Sequence, residues 1–247
     1  MVLKLRIQVF NKDISMTRKH FFRIAAITLT FAMASSAYAV VSNSGFYVSA
    51  DAGLFQGNFN YNYIDQTDVI QQNISESVQQ HGYTEGLAIG YSKLVMQQYL
   101  LGGELSGNLD SHSASFQSGA STAAFSDSIK IKNHIDLVFV PGILLTDSLA
   151  CYLKLGVSSA QLQDNLTSPA GFTPTLTNYN SNKRITGFAA GLGITKYITT
   201  NFSIFAEGNY HDYGAVNFAN FQNFSATYTH AAHVYSAGVV LGATYHV

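Results

Sequence analysis

From residue 45 onward, apolar and polar positions alternate with a period of two in eight stretches: 45–55, 83–92, 98–108, 128–144, 149–159, 184–197, 202–213 and 233–246. That period belongs to β-strands with two chemically different faces. No stretch holds 18 consecutive apolar residues, so no helical membrane span is expected. The connections fall into two classes. Those at 93–97, 145–148 and 198–201 are short, whereas the other four run to about 20–27 residues rich in Asn, Gln, Ser, Thr and Ala. Consecutive antiparallel strands reverse direction, so all the long connections share one end. The pattern predicts an all-β fold: an eight-stranded antiparallel transmembrane β-barrel with four long extracellular loops and short periplasmic turns.

Composition decides which face points inward. Tyr99, Leu101 and Leu105 alternate with Gly102, Glu104 and Ser106, and Leu153, Leu155 and Val157 alternate with Lys154, Gly156 and Ser158. Tyr235, Val239, Leu241 and Tyr245 alternate with Ser236, Gly238, Gly242 and Thr244. The polar face is small and carries only single charges, unlike a water-washed exterior. A narrow eight-strand interior has room for such a face. The apolar face is therefore assigned to lipid and the polar face to the lumen.

The N-terminus reads as an address. Lys4, Arg6, Lys12, Arg18, Lys19 and Arg23 precede a short apolar run over 24–33, and Ala37 and Ala39 supply a small-residue cleavage site. Residues 1–39 are expected to be a cleaved signal peptide, with Met16 as the true start, and 40–247 the outer-membrane barrel domain. Of the 13 Lys and Arg, six precede the cleavage point, which leaves seven against 13 acids. This balance gives no electrostatic footprint for nucleic acid. The single cysteine, Cys151, excludes an intramolecular disulfide.

Gly191, Gly193, Tyr197, Thr199, Asn201, Glu207, Tyr210, Tyr213 and Gly214 resemble the strand–turn–strand of OmpA-like and opacity-like small outer-membrane barrels. Pro141, Gly142, Asp147, Tyr152, Lys154 and Gly156 resemble the preceding unit, and 242–247 the closing strand. The resemblance covers roughly 45–247 and implies a porin-like β-barrel inserted by the barrel-assembly machinery. Closing strands of that family usually end in Phe; this one ends in Tyr245, His246 and Val247.

Lumen parity gathers the acids Asp51, Glu104, Asp136 and Glu207 with the bases Lys130, Lys132 and Lys154. Glu104 and Lys132 fall on neighbouring strands, as do Asp136 and Lys154. Unpaired charges in a narrow lumen are costly, so Lys132 and Lys154 are expected to hold the acids in one network. Tyr47, Tyr91, Tyr99, Tyr197, Tyr210, Tyr213 and Tyr245 fall near strand ends, where aromatic girdles sit. Phe59, Tyr61 and Tyr63 in the first long connection, and Phe218, Phe221 and Phe224 in the last, read either as strand extensions or as an aromatic contact surface.

No catalytic constellation is apparent. Ser111, His112 and Ser113 lie in a predicted loop, His134 and Asp136 both face the lumen, and His211 and Asp212 point to opposite faces. His230 and His233 offer a metal two imidazoles without an evident third ligand. No metal, cofactor or catalysis is expected. The role expected is structural and surface-interactive, with outer-membrane lipid, lipopolysaccharide, the assembly machinery and a ligand of the loops as partners. The alternatives are a small porin and a lipid-A-modifying acyl hydrolase or transferase.

Overall fold

The computed structural model describes residues 44–67, 71–110, 114–118, 125–167, 179–223 and 226–247; segment 1–39, read as the signal peptide, lies outside them. Nine strands follow in chain order: β1 (Gly45–Thr67), β2 (Gln71–Val95), β3 (Tyr99–Asp110), β4 (Ala114–Ser118), β5 (Phe125–Thr146), β6 (Leu149–Thr167), β7 (Tyr179–Tyr197), β8 (Phe202–Asn223) and β9 (Ala226–His246). Both β3 and β4 pair with β5, so they are consecutive pieces of one wall strand. The eight walls close antiparallel along β1 and β9, from Tyr47 opposite His246 to Thr67 opposite Ala226.

The assigned faces hold in the lower half of the barrel, towards the short turns. Leu101, Leu105, Leu153, Leu155, Val157, Ile204 and Leu241 are exposed on the outside, while Glu104, Ser158, Ser203, Glu207 and Thr244 are buried within. An exposed belt of Leu, Ile, Val, Phe and Tyr is what lipid requires and water would penalise. The tyrosines divide. Tyr91, Tyr99, Tyr210 and Tyr245 are exposed girdle residues, but Tyr47, Tyr197 and Tyr213 turn inward and are buried.

The strands are longer than the pattern suggested, and β1, β2 and β8, at 23, 25 and 22 residues, are about twice as long. Most of the Asn- and Gln-rich connections are not loops; they continue the walls as hairpins beyond the belt. There the polarity inverts. Phe59, Ile131, Leu162, Ile185, Tyr213 and Val234 pack together inside, while Gln161, Asn182 and Arg184 hydrogen-bond one another's strands outside. An outward polar row with scattered inward apolar residues mimics a loop composition, which is why the sequence pattern stopped short.

On β5 the inversion requires a bulge. The register shifts between Lys132 and Ile135, and Asn133 adopts φ 48°. One extra residue moves every side chain beyond it to the opposite face. Below the bulge His134 and Asp136 point in; above it Ile131 points in, and Lys130 and Lys132 turn to the outside. A second bulge sits between Asp212 and Gly214, where Gly214 has φ 67°. Among the described residues, β7 and β8 pair only over 188–197 and 203–212, below this bulge.

Candidate functional site

The polar interior is built in layers. The lowest is a small apolar cluster of Leu100, Ala150 and Tyr197, backed by Leu94 and Leu144. Above a cavity of about 80 Å³ lies the first polar layer. Lys154 Nζ stands 2.7 Å from Glu104 Oε1 and 2.8 and 3.0 Å from the two oxygens of Glu207. Tyr47 donates its hydroxyl to Glu104 at 2.8 Å, and Tyr152 donates to Glu207 at 2.8 Å. The ammonium and both carboxylates are thus mutually satisfied in a chain that crosses the lumen, the arrangement a buried ion pair needs to offset its desolvation.

Two cross-strand rows build this chain. Tyr47 on β1 stands opposite Gly90 on β2, which stands opposite Glu104 on β3. Tyr152 on β6 stands opposite Gly193 on β7, which stands opposite Glu207 on β8. A Cβ on either glycine would collide with its tyrosine ring. Each ring lies flat over a strand that has no side chain there and so reaches the carboxylate two strands away. The sequence assigns Tyr47 to the girdle, since a lone Tyr at a strand end looks like a girdle residue, and it places Tyr152 on the polar face without a partner. The register fixed by the short turns was the available signal.

A cavity of about 20 Å³, room for little more than one water, separates this layer from the next. Asp51 lines it from β1. Asp136 Oδ2 lies 3.1 Å from His211 Nε2 and 3.6 Å from His134 Nε2, and His134 Nε2 lies 2.7 Å from Asn108 Nδ2. Phe55 stacks on His134 with centroids 6.0 Å apart, and Tyr213 on His211 at 6.3 Å. The apolar core around Phe59 covers this layer on the hairpin side.

The predicted site residues therefore divide. Glu104, Lys154 and Glu207 meet in one network, and Asp51 and Asp136 line the lumen beside it. Asp136 pairs with histidines rather than with Lys154. Lys132, expected to bind Glu104, is outside the barrel and donates to Gln163 at 3.0 Å; the bulge at Asn133 put it there. Lys130 shares its outward parity, opposite Gln163. Phe59, a contact-surface candidate, has no solvent exposure, because its strand position faces the inner core. The side chains of Tyr61, Tyr63, Phe218 and Phe221, and residue Phe224, lie outside the described residues.

No family model matches the chain. An uncharacterized protein of Coxiella burnetii (strain RSA 493 / Nine Mile phase I) is 29% identical over 213 residues, covering 79% of this chain and 82% of its own length. Among solved structures, the outer membrane protein OprG from Pseudomonas aeruginosa superposes with TM-score 0.50 at 13% identity, covering 85% of this chain and all of OprG. The outer membrane protease OmpT from Escherichia coli superposes with TM-score 0.50 at 11% identity, covering 86% of this chain and all of OmpT. The fold is that of an outer-membrane β-barrel. At these identities the likeness extends to the fold alone.

In an outer-membrane barrel the layers just described do one thing together. An apolar floor, a tyrosine–carboxylate–lysine bridge, a histidine–carboxylate layer and an apolar roof succeed one another along the axis. The cavities left between them measure about 80 and 20 Å³.

Proposed function

We propose that this chain is an outer-membrane barrel with a structural and surface-interacting role, held shut along its axis and without catalytic activity. Residues 1–39 are its export signal, the short turns face the periplasm, and the long hairpins stand outside the cell. The observation that carries this reading is the bridge of Lys154 to Glu104 and Glu207, which spans the lumen between two apolar clusters. A conducting pore would keep such charges apart and hydrated.

The outer surface supports lipopolysaccharide as a partner. Lys132, Gln161 and Arg184 form one row across β5, β6 and β7, with Lys130 on the same face. Three of the seven basic residues after residue 39 gather here. The apolar row of Leu137, Val157 and Phe188 lies just below. Basic side chains at the upper edge of a lipid belt meet the phosphates of the headgroup layer.

Planar-bilayer recording on the detergent-purified protein tests the first part: the expected result is no steady unitary conductance. Steady channels would make the protein a small porin, and acyl release from lipid A would make it an enzyme. For the second part, Lys132→Gln with Arg184→Gln is expected to lower the lipopolysaccharide retained through purification.

A further inference from the structure

We propose that His134, Asp136 and His211 form a binding site for one divalent first-row transition cation inside the barrel. His134 and Asp136 alternate on β5 just below the bulge, so both point inward. His211 comes from β8, three strands away, and reaches them across the lumen. All three side chains are buried, and one ligand atom from each lies within 4.8 Å of the others. In a four-coordinate site with metal–nitrogen and metal–oxygen bonds of about 2.0–2.1 Å, ligand atoms stand about 3.3 Å apart. Two of the three separations, 3.1 and 3.6 Å, already bracket that spacing.

A second observation points to a ligand. Asp136 Oδ1 and Asn108 Oδ1 are buried and have no hydrogen-bond partner. Buried polar atoms are nearly always satisfied, and these two oxygens are free to face a cation or a water bound to it. Since an amide's O and N are assigned from its surroundings, a turn of Asn108 by 180° presents its oxygen where its nitrogen now stands, 2.7 Å from His134 Nε2. Asn108 or a water in the adjoining cavity then supplies the fourth donor. Two imidazoles with one carboxylate suit zinc, cobalt, nickel or ferrous iron, and disfavour calcium and magnesium, which take oxygen ligands. The aromatic faces of Phe55 and Tyr213 flank the two imidazoles. With the Phe59 core above and the Lys154 bridge below, the cation enters as the barrel folds. Once in, it ties β5 to β8 across the lumen.

The test is refolding of the full chain into detergent with one equivalent of Co²⁺, followed by gel filtration. The expected result is about one cobalt per chain, visible d–d bands displaced by Zn²⁺, X-ray absorption showing a nitrogen and oxygen shell with imidazole scattering, and a higher temperature for loss of the folded gel band. His211→Gln and Asp136→Asn should each weaken retention at least about tenfold, while His233→Gln, on the outer face against Asp212, leaves it unchanged. Should His211→Gln fail to fold, the imidazole signature of the wild type and the Asp136→Asn result decide. A folded wild type that retains no cobalt overturns the proposal. So does retention that survives both inner variants or is lost in His233→Gln.

Discussion

Lys154 on β6 reaches Glu104 on β3 at 2.7 Å, passing over the whole width of β5. On its other side it reaches Glu207 on β8 across β7. Lys154→Met removes the shared cation and leaves two buried carboxylates facing one another. Breaking a fully buried pair costs about 3–5 kcal/mol. The cavities flanking this one admit some water, so the loss of unfolding free energy in urea is expected at or below the lower end. Adding Glu104→Gln to Lys154→Met should recover part of it, and adding Asp136→Leu should recover none. Plain additivity with Glu104→Gln would show that the two residues are not coupled.

Gly193 exists for Tyr152. Gly193→Ala drives the ring away from Glu207 and forfeits a hydrogen bond to a charged group, about 1.5–3 kcal/mol. In a Tyr152→Ala background the same substitution meets no ring and is expected to be close to neutral. A double-mutant cycle by urea unfolding reads the difference; equal costs in both backgrounds would refute the steric account.

Leu155 and Lys132 sit on the outside at different heights. Leu155→Arg, in the apolar belt, should cost roughly 2–4 kcal/mol in lipid vesicles. Lys132→Ala, above the bulge, should fall within about 0.5 kcal/mol of the wild type. A large effect at Lys132 would return it to the lumen.

Asn133 carries the bulge at positive φ. Asn133→Val forces a β-branched residue into the left-handed region and should cost about 1–2 kcal/mol, whereas Asn133→Gly should be tolerated. Deleting Asn133 removes the extra residue, so Lys132 then precedes His134 in a regular ladder with Lys132 still outside and Ile131 still inside, and the folded, faster-migrating band of the unboiled protein is expected to persist; inserting one further residue there reverses both faces, and the band is expected to vanish.

The lower barrel was legible because its two faces differ in composition at every step: Leu153, Leu155 and Val157 against Lys154, Gly156 and Ser158 need only parity to be sorted. The bulge was not, since Asn133 resembles any other polar residue and one inserted position reverses all that follows. Lys132 was misplaced for that reason alone. The hairpin extensions hid behind Gln161, Gln163 and Asn182, whose outward row reads as loop. His134, Asp136 and His211 were each noticed, but their meeting depends on walls three strands apart, and no local pattern encodes that.

The seam between β1 and β9 pairs the first wall of the barrel with the last, over Tyr47–Thr67 and Ala226–His246. Each of its contacts closes a loop that includes nearly all the other walls, so the entropic cost falls due before any of its hydrogen bonds form. The seam is accordingly expected to form last. Until β9 arrives, β1 is an open edge, and an unshielded edge is a template for pairing with other chains.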